Sequence, residues 1–428
     1  MKPLKVYFGF FLLVFLSACG GVERETITTD ETPPNLILIL TDDQRADTMP
    51  YLPSLSGYEG MNFTNAYVST PLCCPSRTSI LTGQYAHNHG VKDNKAPNGG
   101  FTAFQGSKDD ETLATSLQAT GYTTALVGKY LNGYGEEVDS YIPEGWDSFF
   151  AFGGRPNFYD YDLLDYKNGE NKGFVHYGSE SEDYSTTVLA DLGVDFIKNA
   201  EQPFFLYFAP FAPHSPSTPQ DQYKGTFVGT EGEIFGEMVE SLYSVDEAFD
   251  SFIEILEETG ELDNTYVVFM SDNGYHLGEN GIEEGKNTPY EVAVKVPLKI
   301  FGPGLGASER EELVLNIDLA PTLLELAGAE PLSEADGRSY AAMLSGEPII
   351  EWRDDFLLEV WGKYEFSAVH EKDWVYIQFK RGEAALYDLL NDPLEEKNLI
   401  NEFEQSERLE IMKTRLEELK VCSGEVCF

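Results

Sequence analysis

Cysteine and basic residues are both scarce in this chain, and each shortage excludes a class of function. Lysine and arginine together number 29 against 73 acidic residues, so the net charge is −44. Nucleic acid is therefore not expected as a partner, because binding it needs a basic surface. No second closely spaced cysteine pair with metal-binding spacing is present, which argues against a zinc site. The five cysteines are Cys19, Cys73, Cys74, Cys422 and Cys427.

The apolar run near the N-terminus is too short to cross a membrane comfortably. It extends over residues 6–16, follows two lysines and ends in the sequence Leu-Ser-Ala-Cys at Cys19. Its make-up is that of an export signal. The ending resembles a bacterial lipoprotein signal, which implies that residues 1–19 are a signal peptide and that cleavage leaves Cys19 carrying lipid. An ordinary signal peptide is the alternative. Residues 20–34 are polar and aperiodic, and they read as a flexible tether.

Continuous apolar runs rich in β-forming residues predict strands that are buried on both faces of a mostly parallel sheet. Helical patterns separate these runs, including an apolar stripe that ends at Gly260. The alternation predicts an α/β fold in which a large mixed sheet lies between layers of helices. The four runs are Leu36–Leu40, Thr123–Val127, Phe204–Phe208 and Thr265–Met270.

The pattern changes after about residue 345. Short strands and tight turns predict a small antiparallel sheet, and a helix follows near Glu402–Lys420. We therefore expect a main domain over residues 35–345 and a C-terminal subdomain over residues 346–428. The four short strands are Phe356–Val360, Tyr364–Val369, Trp374–Phe379 and Ala385–Tyr387.

Chemically active residues follow each of the four predicted main strands. In open α/β sheets, ligands bind beyond the carboxyl ends of the strands, so these side chains are expected to meet at one edge. The acids and the amide offer only oxygen, which favours calcium or magnesium over zinc. Lys129, His214 and Lys286 would supply the positive charge that an anionic group needs. In chain order, the residues after the strands are Asp42 and Asp43, Lys129, His214, and Asp272 with Asn273.

The adjacent cysteines Cys73 and Cys74 raise a separate question. Their Cα atoms lie about 3.8 Å apart, too close for an unstrained disulfide. Residues 76–82 can form a short helix ended by Gly83, which places Cys73 at a helix N-terminus near Arg77. That position would suit a thiolate nucleophile, but a cysteine hydrolase needs a partner histidine and has no use for metal ligands. The histidines of the sequence HNH, His87 and His89, are left unassigned, because such a loop is typical of a surface.

The cysteine pair belongs to a longer motif. The sequence CCPSR at residues 73–77, followed by LTG at 81–83, is similar to the signature C-x-P-S-R…L-T-G of the type I sulfatases. The segments TDDQRAD, GKYLNGYG, APHSP, SDNGYHLGE and LYDLLNDPLEEKNL follow in the family's order. The chain therefore resembles this family of the alkaline phosphatase-like superfamily. GKYLN, CCPSR and DNGYH most resemble its N-acetylglucosamine-6-sulfatase and heparan endosulfatase branch.

The resemblance implies a role for each position. A maturation enzyme would oxidise Cys73 to Cα-formylglycine, the nucleophile in its hydrated form, while Cys74 is the variable position. Arg77 would hold the hydrated aldehyde, Lys129 would contact it and the sulfate, and His214 and Lys286 would bind the sulfate. Calcium, rather than magnesium, is expected on Asp42, Asp43, Asp272, Asn273 and the modified residue 73.

One departure from the family concerns the segment after the second strand. Many members read G-K-W-H-L-G, but here Lys129 is followed by Tyr130, Leu131 and Asn132, so the usual histidine is absent. Asn132 and His276, which accompany the branch-specific segments, are expected to bind the substrate sugar.

The predicted activity is hydrolysis of sulfate esters on a sulfated oligosaccharide, with 6-O-sulfated N-acetylglucosamine as the leading substrate. A phosphodiester or phosphonate monoester hydrolase of the same superfamily is one alternative. A surface lipoprotein that binds glycan without turnover is another. We expect an exported, cell-envelope protein that meets the membrane only through its lipid. In that oxidising compartment, Cys422 and Cys427 of the segment CSGEVC would form a disulfide.

Overall fold

The structure is a computed structural model that describes residues 32–105, 108–136, 140–347, 349 and 351–428. The predicted signal peptide, Cys19 and most of the predicted tether lie outside the described residues. The strands are β1 Asn35–Thr41, β2 Met61–Phe63, β3 Ala66–Tyr67, β4 Thr123–Gly128, β5 Ser148–Gly153, β6 Tyr161–Lys167, β7 Glu170–Tyr177, β8 Phe204–Ala209, β9 Thr265–Ser271, β10 Leu298–Phe301, β11 Ser308–Arg310, β12 Val314–Leu315, β13 Asp355–Val360, β14 Phe366–Glu371, β15 Trp374–Phe379 and β16 Ala384–Asp388.

The α-helices cover both faces of the main sheet. They are α1 Pro53–Gly57, α2 Cys73–Thr82, α3 Ala86–His89, α4 Gly100–Gln105, α5 Leu113–Ala119, α6 Ser185–Asn199, α7 Glu233–Thr259, α8 Glu291–Val294, α9 Leu319–Ala327, α10 Ala341–Leu344 and α11 Ser406–Leu419.

The main sheet contains the four predicted strands side by side. In the described residues it has ten strands in the order β11-β2-β10-β9-β1-β8-β4-β5-β6-β7. The central strands β9, β1, β8, β4 and β5 run parallel, and β10, β6 and β7 pair antiparallel with their neighbours. The predicted α/β class, with a mixed and mostly parallel sheet, is therefore confirmed.

Burial on both faces explains why these strands are continuously apolar. Along β1, Leu36 and Leu38 point into one apolar cluster, whereas Ile37 and Ile39 point into another on the opposite face. Neighbouring side chains of a strand alternate between the two faces, so both sets must be apolar. Helices α5 and α9 contribute to the first cluster, and helices α6 and α7 to the second. Helix α7 ends at Gly260, which has a φ of 76°, as the sequence predicts.

The C-terminal strands form the predicted small antiparallel sheet, ordered β13-β14-β15-β16. Helix α11 packs against it through Met412, Leu416 and Leu419. Two boundaries differ from the prediction. Strand β14 begins at Phe366 because residues 362–364 form a 3₁₀ turn, and α11 begins at Ser406 because residues 403–405 form another. Cys422 and Cys427 form the predicted disulfide.

A buried ion pair connects the segment before β13 to the start of α9. The two terminal nitrogens of the Arg353 guanidinium, Nη1 and Nη2, donate to the carboxylate of Asp318, and the side chains are 2% and 0% exposed. The same carboxylate also accepts hydrogen bonds from the backbone N–H groups of Leu315 and Arg338 at 2.8 Å each. A carboxylate held in this way depends on its cation, because a buried unpaired charge is costly.

We therefore expect Arg353→Ala to lower the free energy of unfolding by about 3–5 kcal/mol, the usual cost of breaking a buried pair from one side. Denaturant unfolding measures it. Lys413→Ala is the matched control, because Lys413 makes an exposed pair with Glu410 on α11, and its loss should cost less than about 0.5 kcal/mol. Equal losses of unfolding free energy in the two variants would show that the buried pair stabilises the fold no more than an exposed pair does.

Candidate active site

The carboxyl ends of adjacent parallel strands bring the predicted residues together. Asp42 and Asp43 follow β1, and Asp272 follows β9 beside it. His214 follows β8 and Lys129 follows β4, on the other side of β1. The backbone N–H of Asp43 donates to Asp272 Oδ1 at 3.1 Å, which joins the first two strand ends directly.

Cys73 is presented to this edge by α2. The helix begins at Cys73 itself, three residues earlier than predicted, with Pro75 in its first turn, and it ends at Gly83 with a φ of 69°. All ten helix residues are buried. The Cys73 Sγ lies 3.5 Å from Asp42 Oδ1 and 2.7 Å from Lys286 Nζ. Cys74 is also buried and unbridged.

Arg77, one helical turn after Cys73, ties the helix to two strand ends. Its Nε donates to Asp272 Oδ2 at 2.7 Å and its Nη1 donates to the backbone carbonyl of Lys129 at 2.8 Å. Both side chains of the ion pair are fully buried. The guanidinium thereby fixes where α2 sits relative to β9 and β4, and hence where residue 73 points.

Two lysines and a histidine surround the carboxylates. The Nζ of Lys129 lies 2.5 Å from Asp42 Oδ2, and the Nζ of Lys286 lies 2.5 Å from Asp43 Oδ1. The Nε2 of His214 is 3.5 Å from Asp43 Oδ2. The other ring nitrogen, Nδ1, bonds the backbone carbonyl of Ser215 at 2.8 Å, so Nε2 is the nitrogen that faces the cluster.

Burial and charge together set the pKa values at the site. Burial alone would raise the pKa of Asp42, but the nearby cationic groups, with Lys129 the strongest of them, together outweigh burial and the pKa falls to about 2. Asp43 behaves alike: burial opposes its ionisation, yet Lys286 lowers its pKa. Burial raises the pKa of the Cys73 thiol to about 12 in spite of the two lysines. The unmodified thiol is thus protonated at neutral pH and is a poor nucleophile.

The donor set fits a hard cation. Ligand atoms of Asp42, Asp43, Cys73 and His214 all lie within 4.8 Å of one another. Asp43 Oδ2 and Asn273 Oδ1 are buried without a hydrogen-bond partner among the described residues, and such atoms need compensation. The carboxylate and amide oxygens among these atoms suit calcium or magnesium, whereas the thiol and the imidazole do not. Asp43 also holds a left-handed backbone with a φ of 67°, a conformation that aspartate tolerates better than most residues and that occurs in turns as well as at active sites.

The other predicted residues lie farther from this cluster. Asn132 lines a separate cavity beside it, and its Oδ1 is buried without a hydrogen-bond partner in the described structure. His276 is fully buried, 3.3 Å from Glu279 and edge-on to Tyr290. Burial lowers the pKa of its ring. A direct contact between His276 and a sugar would therefore require the surrounding loop to move.

His87 and His89, which the sequence pattern leaves without a role, make hydrogen bonds within the fold and do not lie on an open surface. His89 is buried, and its Nε2 lies 3.1 Å from Ser79 Oγ on α2. Its Nδ1 accepts from the Val91 backbone N–H at 3.0 Å. Burial lowers its pKa to about 3, so it acts as a neutral ring. His87, partly buried, bonds Glu359 at 2.9 Å.

Sequence reasoning missed Asn94. Its Oδ1 accepts a hydrogen bond from the backbone N–H of Cys74 at 2.9 Å, so it satisfies one of the free donors in the first turn of α2. It stands twenty positions from Cys74 in an irregular loop, and no local pattern marks it.

A buried cysteine, clustered carboxylates and convergent cations at the edge of the sheet form a site whose chemistry suits an anionic ester. The chain belongs to the sulfatase family, which matches residues 34–329. Residues 278–422 also match the family described as N-sulphoglucosamine sulphohydrolase, C-terminal. The protein is accordingly a sulfuric ester hydrolase.

The chain is similar in sequence to named sulfatases over most of its length. It is 36% identical to human N-acetylglucosamine-6-sulfatase over 399 residues, covering 82% of this chain and 71% of the relative. It is 35% identical to a Caenorhabditis elegans protein described as a putative extracellular sulfatase, over 82% of this chain but only 56% of that relative. The chain thus spans little more than half of the second protein.

A solved structure shows the same fold. That solved protein, which was determined in complex with its own substrate D-glucosamine-2-N,6-O-disulfate, superposes on this chain with a TM-score of 0.77 at 22% identity, covering 91% of this chain and 97% of that chain. Among the residues described here, no helix combines the length and apolar character needed to traverse a bilayer.

Proposed function

We propose that the protein removes the 6-O-sulfate of N-acetylglucosamine, or of a closely related sugar, in a sulfated oligosaccharide. The observation that carries this proposal is the cluster itself, in which Cys73 stands between carboxylates and the amines of Lys129 and Lys286. Its relatives named as N-acetylglucosamine-6-sulfatases support the choice of sugar.

Residue 73 is the proposed nucleophile after oxidation of Cys73 to Cα-formylglycine by a maturation enzyme. The hydrated aldehyde would supply one hydroxyl to attack sulfur and a second to assist release of sulfate. The protonated, fully buried thiol supports the need for this change. Lys286 Nζ, 2.7 Å from Cys73 Sγ, and Arg77 are placed to orient the group at this position.

A calcium ion is the proposed cofactor, and magnesium is the weaker candidate because it demands a tighter octahedral site. Asp42, Asp43, Asp272 and the free Oδ1 of Asn273 would hold it, and it would draw negative charge from the nucleophile and the sulfate. The charges of the site agree with this. Three carboxylates face three permanent cations, Lys129, Lys286 and Arg77, so a divalent ion would leave net positive charge for an anionic sulfate ester.

The remaining residues position sulfate and move a proton. The amines of Lys129 and Lys286 would bind sulfate oxygens and stabilise charge that develops as the ester bond breaks. His214 holds Nδ1 on the Ser215 carbonyl, so in the imidazolium form of this ring Nε2 is the atom that would give a proton to the leaving sugar oxygen. Asn132 remains a proposed sugar contact, and His276 would contact the sugar after movement of its loop.

We further propose that the protein is exported as a cell-envelope lipoprotein anchored through Cys19. The short apolar run that ends at Cys19 supports export. The disulfide between Cys422 and Cys427 supports an oxidising compartment. We also propose that the boundary between the main domain and the C-terminal subdomain lies near residue 345.

The substrate is tested by sulfate release from sugars that carry one sulfate at different positions. We expect kcat/KM on 6-O-sulfated N-acetylglucosamine to exceed that on 2-O- or 4-O-sulfated sugars by at least about 100-fold, since displaced groups lose their contacts. A matched 6-O-phosphodiester and a 6-O-phosphonate monoester of the same sugar test the alternative activities, and we expect little turnover of either. Preference for another sulfate position would overturn the 6-O-sulfate assignment, and preference for the phosphorus esters would overturn sulfate as the group that the site removes.

A further inference from the structure

A cavity of about 620 Å³ lies beside the proposed nucleophile, and Asn132 is the one residue of its described lining that was given a role in the proposed function. It opens at the ends of β4 and β5, where Asn132 and Arg155 follow these strands. The loop before α4 closes its other side with Asn94 and Lys95. A volume of this size admits a small organic ligand such as a sugar residue.

The cavity is joined directly to the nucleophile helix. Asn94, in its wall, accepts the backbone N–H of Cys74 at 2.9 Å, one residue from Cys73. The backbone carbonyl of Asn132 accepts the N–H of Phe101 at 2.8 Å, so the two loops that line the cavity are bonded to each other. A group in the cavity would therefore sit close to a sugar whose sulfate is at residue 73.

The charges of this cavity are unusual for the chain. Lys95 and Arg155 line it, both are exposed, and neither has an ion-pair partner among the described residues. Within the described ranges, Glu136 is the one acid in its lining. In a protein with a net charge of −44, an anionic ligand is repelled from most of the surface, and two unpaired cations create a local exception. The buried Oδ1 of Asn132 adds an unused hydrogen-bond acceptor, which suits a sugar hydroxyl.

We propose that this cavity binds a second anionic group of the substrate, a carboxylate or a sulfate on the sugar next to the one that is desulfated. Lys95 and Arg155 hold the anion, and Asn132 accepts a hydroxyl of the same sugar. The inference rests on the proposed function and narrows it to oligosaccharides with an acidic neighbouring sugar. Glu136 opposes the anion and limits the affinity of the cavity.

The test compares disaccharides that share a 6-O-sulfated N-acetylglucosamine and differ in the neighbouring sugar, which is neutral, carries a carboxylate or carries a sulfate. The wild-type protein should hydrolyse the acidic disaccharides with a kcat/KM roughly tenfold above the neutral one, as expected for two charge-assisted contacts at an exposed site. Which acidic disaccharide is preferred separates a carboxylate from a sulfate.

Variants assign this preference to the cavity. In the double variant Lys95→Ala/Arg155→Ala the acidic-to-neutral ratio should fall to about one, and in Glu136→Gln it should rise, because the opposing charge is gone. Lys413→Ala, which removes an equal charge from the exposed face of α11, should keep the wild-type ratio. A ratio near one in the wild type, or a ratio that survives the double variant, overturns the inference and leaves the proposed function standing. Absence of sulfate release from every substrate overturns the proposed function as well.

Discussion

Replacing Cys73 with alanine is expected to abolish sulfate release, with kcat falling by at least about 10⁴-fold, the scale seen when a covalent nucleophile is removed. The side chain is buried and lies within 4 Å of Asp42 and Lys286, so no neighbouring hydroxyl of the same helix can take its place without moving the backbone. Steady-state sulfate release from a 6-O-sulfated sugar measures the effect.

Cys74→Ala is the matched control for this substitution. Cys74 is equally buried and adjacent in sequence, and its backbone N–H, which donates to Asn94, is kept in the variant. We expect most of the activity to remain, with a stability loss of about 1 kcal/mol from the missing sulfur. Unfolding curves of both variants establish that the fold is intact. Full activity in Cys73→Ala would exclude residue 73 as the nucleophile.

A peptide mass spectrum of the active protein separates the modified residue from a plain thiol. We expect an aldehyde at residue 73 and an intact thiol at residue 74. A serine at position 73 should form an ester but release it slowly, because it lacks the second hydroxyl. Cys73→Ser is therefore expected to give at most one turnover per molecule. Continuous turnover by this variant would show that the aldehyde is unnecessary.

The strands and their carboxyl ends were predictable because burial on both faces leaves a simple signal. Runs such as residues 36–40 are apolar throughout, and the polar residue that ends each run marks the sheet edge. The sequence therefore predicts one shared site for the polar residues after these runs, Asp42, Lys129, His214 and Asp272. The start of α2 was misplaced because Pro75 can occupy the first turn without beginning the helix.

Contacts between distant loops left no such signal. Asn94 and Lys95 reach the site only because their loop folds back on Cys74 and Asn132, and their spacing follows no helical or strand period. The position of His276 in the sequence, by contrast, suggested more than its side chain does in the structure. Its place after the strand β9 suggested a contact with substrate, but the loop turns its ring inward against Glu279 and Tyr290. Sequence position reports which edge a residue belongs to, and packing decides where its side chain points.

Removal of the Asp272 carboxylate is expected to have the second large effect, because this one group serves two functions. Its Oδ2 neutralises the fully buried Arg77, and it is a proposed calcium ligand. Asp272→Ala should therefore lower the free energy of unfolding by about 3–5 kcal/mol, since Arg77 loses its buried counter-charge. We also expect loss of bound calcium and at least about a 10³-fold fall in kcat, because electrostatic stabilisation and nucleophile position are lost together.

Asn273→Ala separates these two functions. Its Oδ1 has no hydrogen-bond partner in the described structure, and its Nδ2 donates to Asp43 Oδ1 at 2.6 Å. Nδ2 also donates to the backbone carbonyl of Gly274 at 2.8 Å, so the variant loses two hydrogen bonds and should cost about 2 kcal/mol of stability, while calcium affinity falls. The readout is the rise in melting temperature on adding calcium after chelation, which reports binding to the folded state without any turnover. The wild-type protein should show the rise, Asn273→Ala should need more calcium for it, and Asp272→Ala should lack it. Stoichiometric zinc in the purified protein would contradict calcium as the ion of this site. A calcium response that both variants retain would contradict the ligand assignment, because neither residue would then contribute to calcium binding.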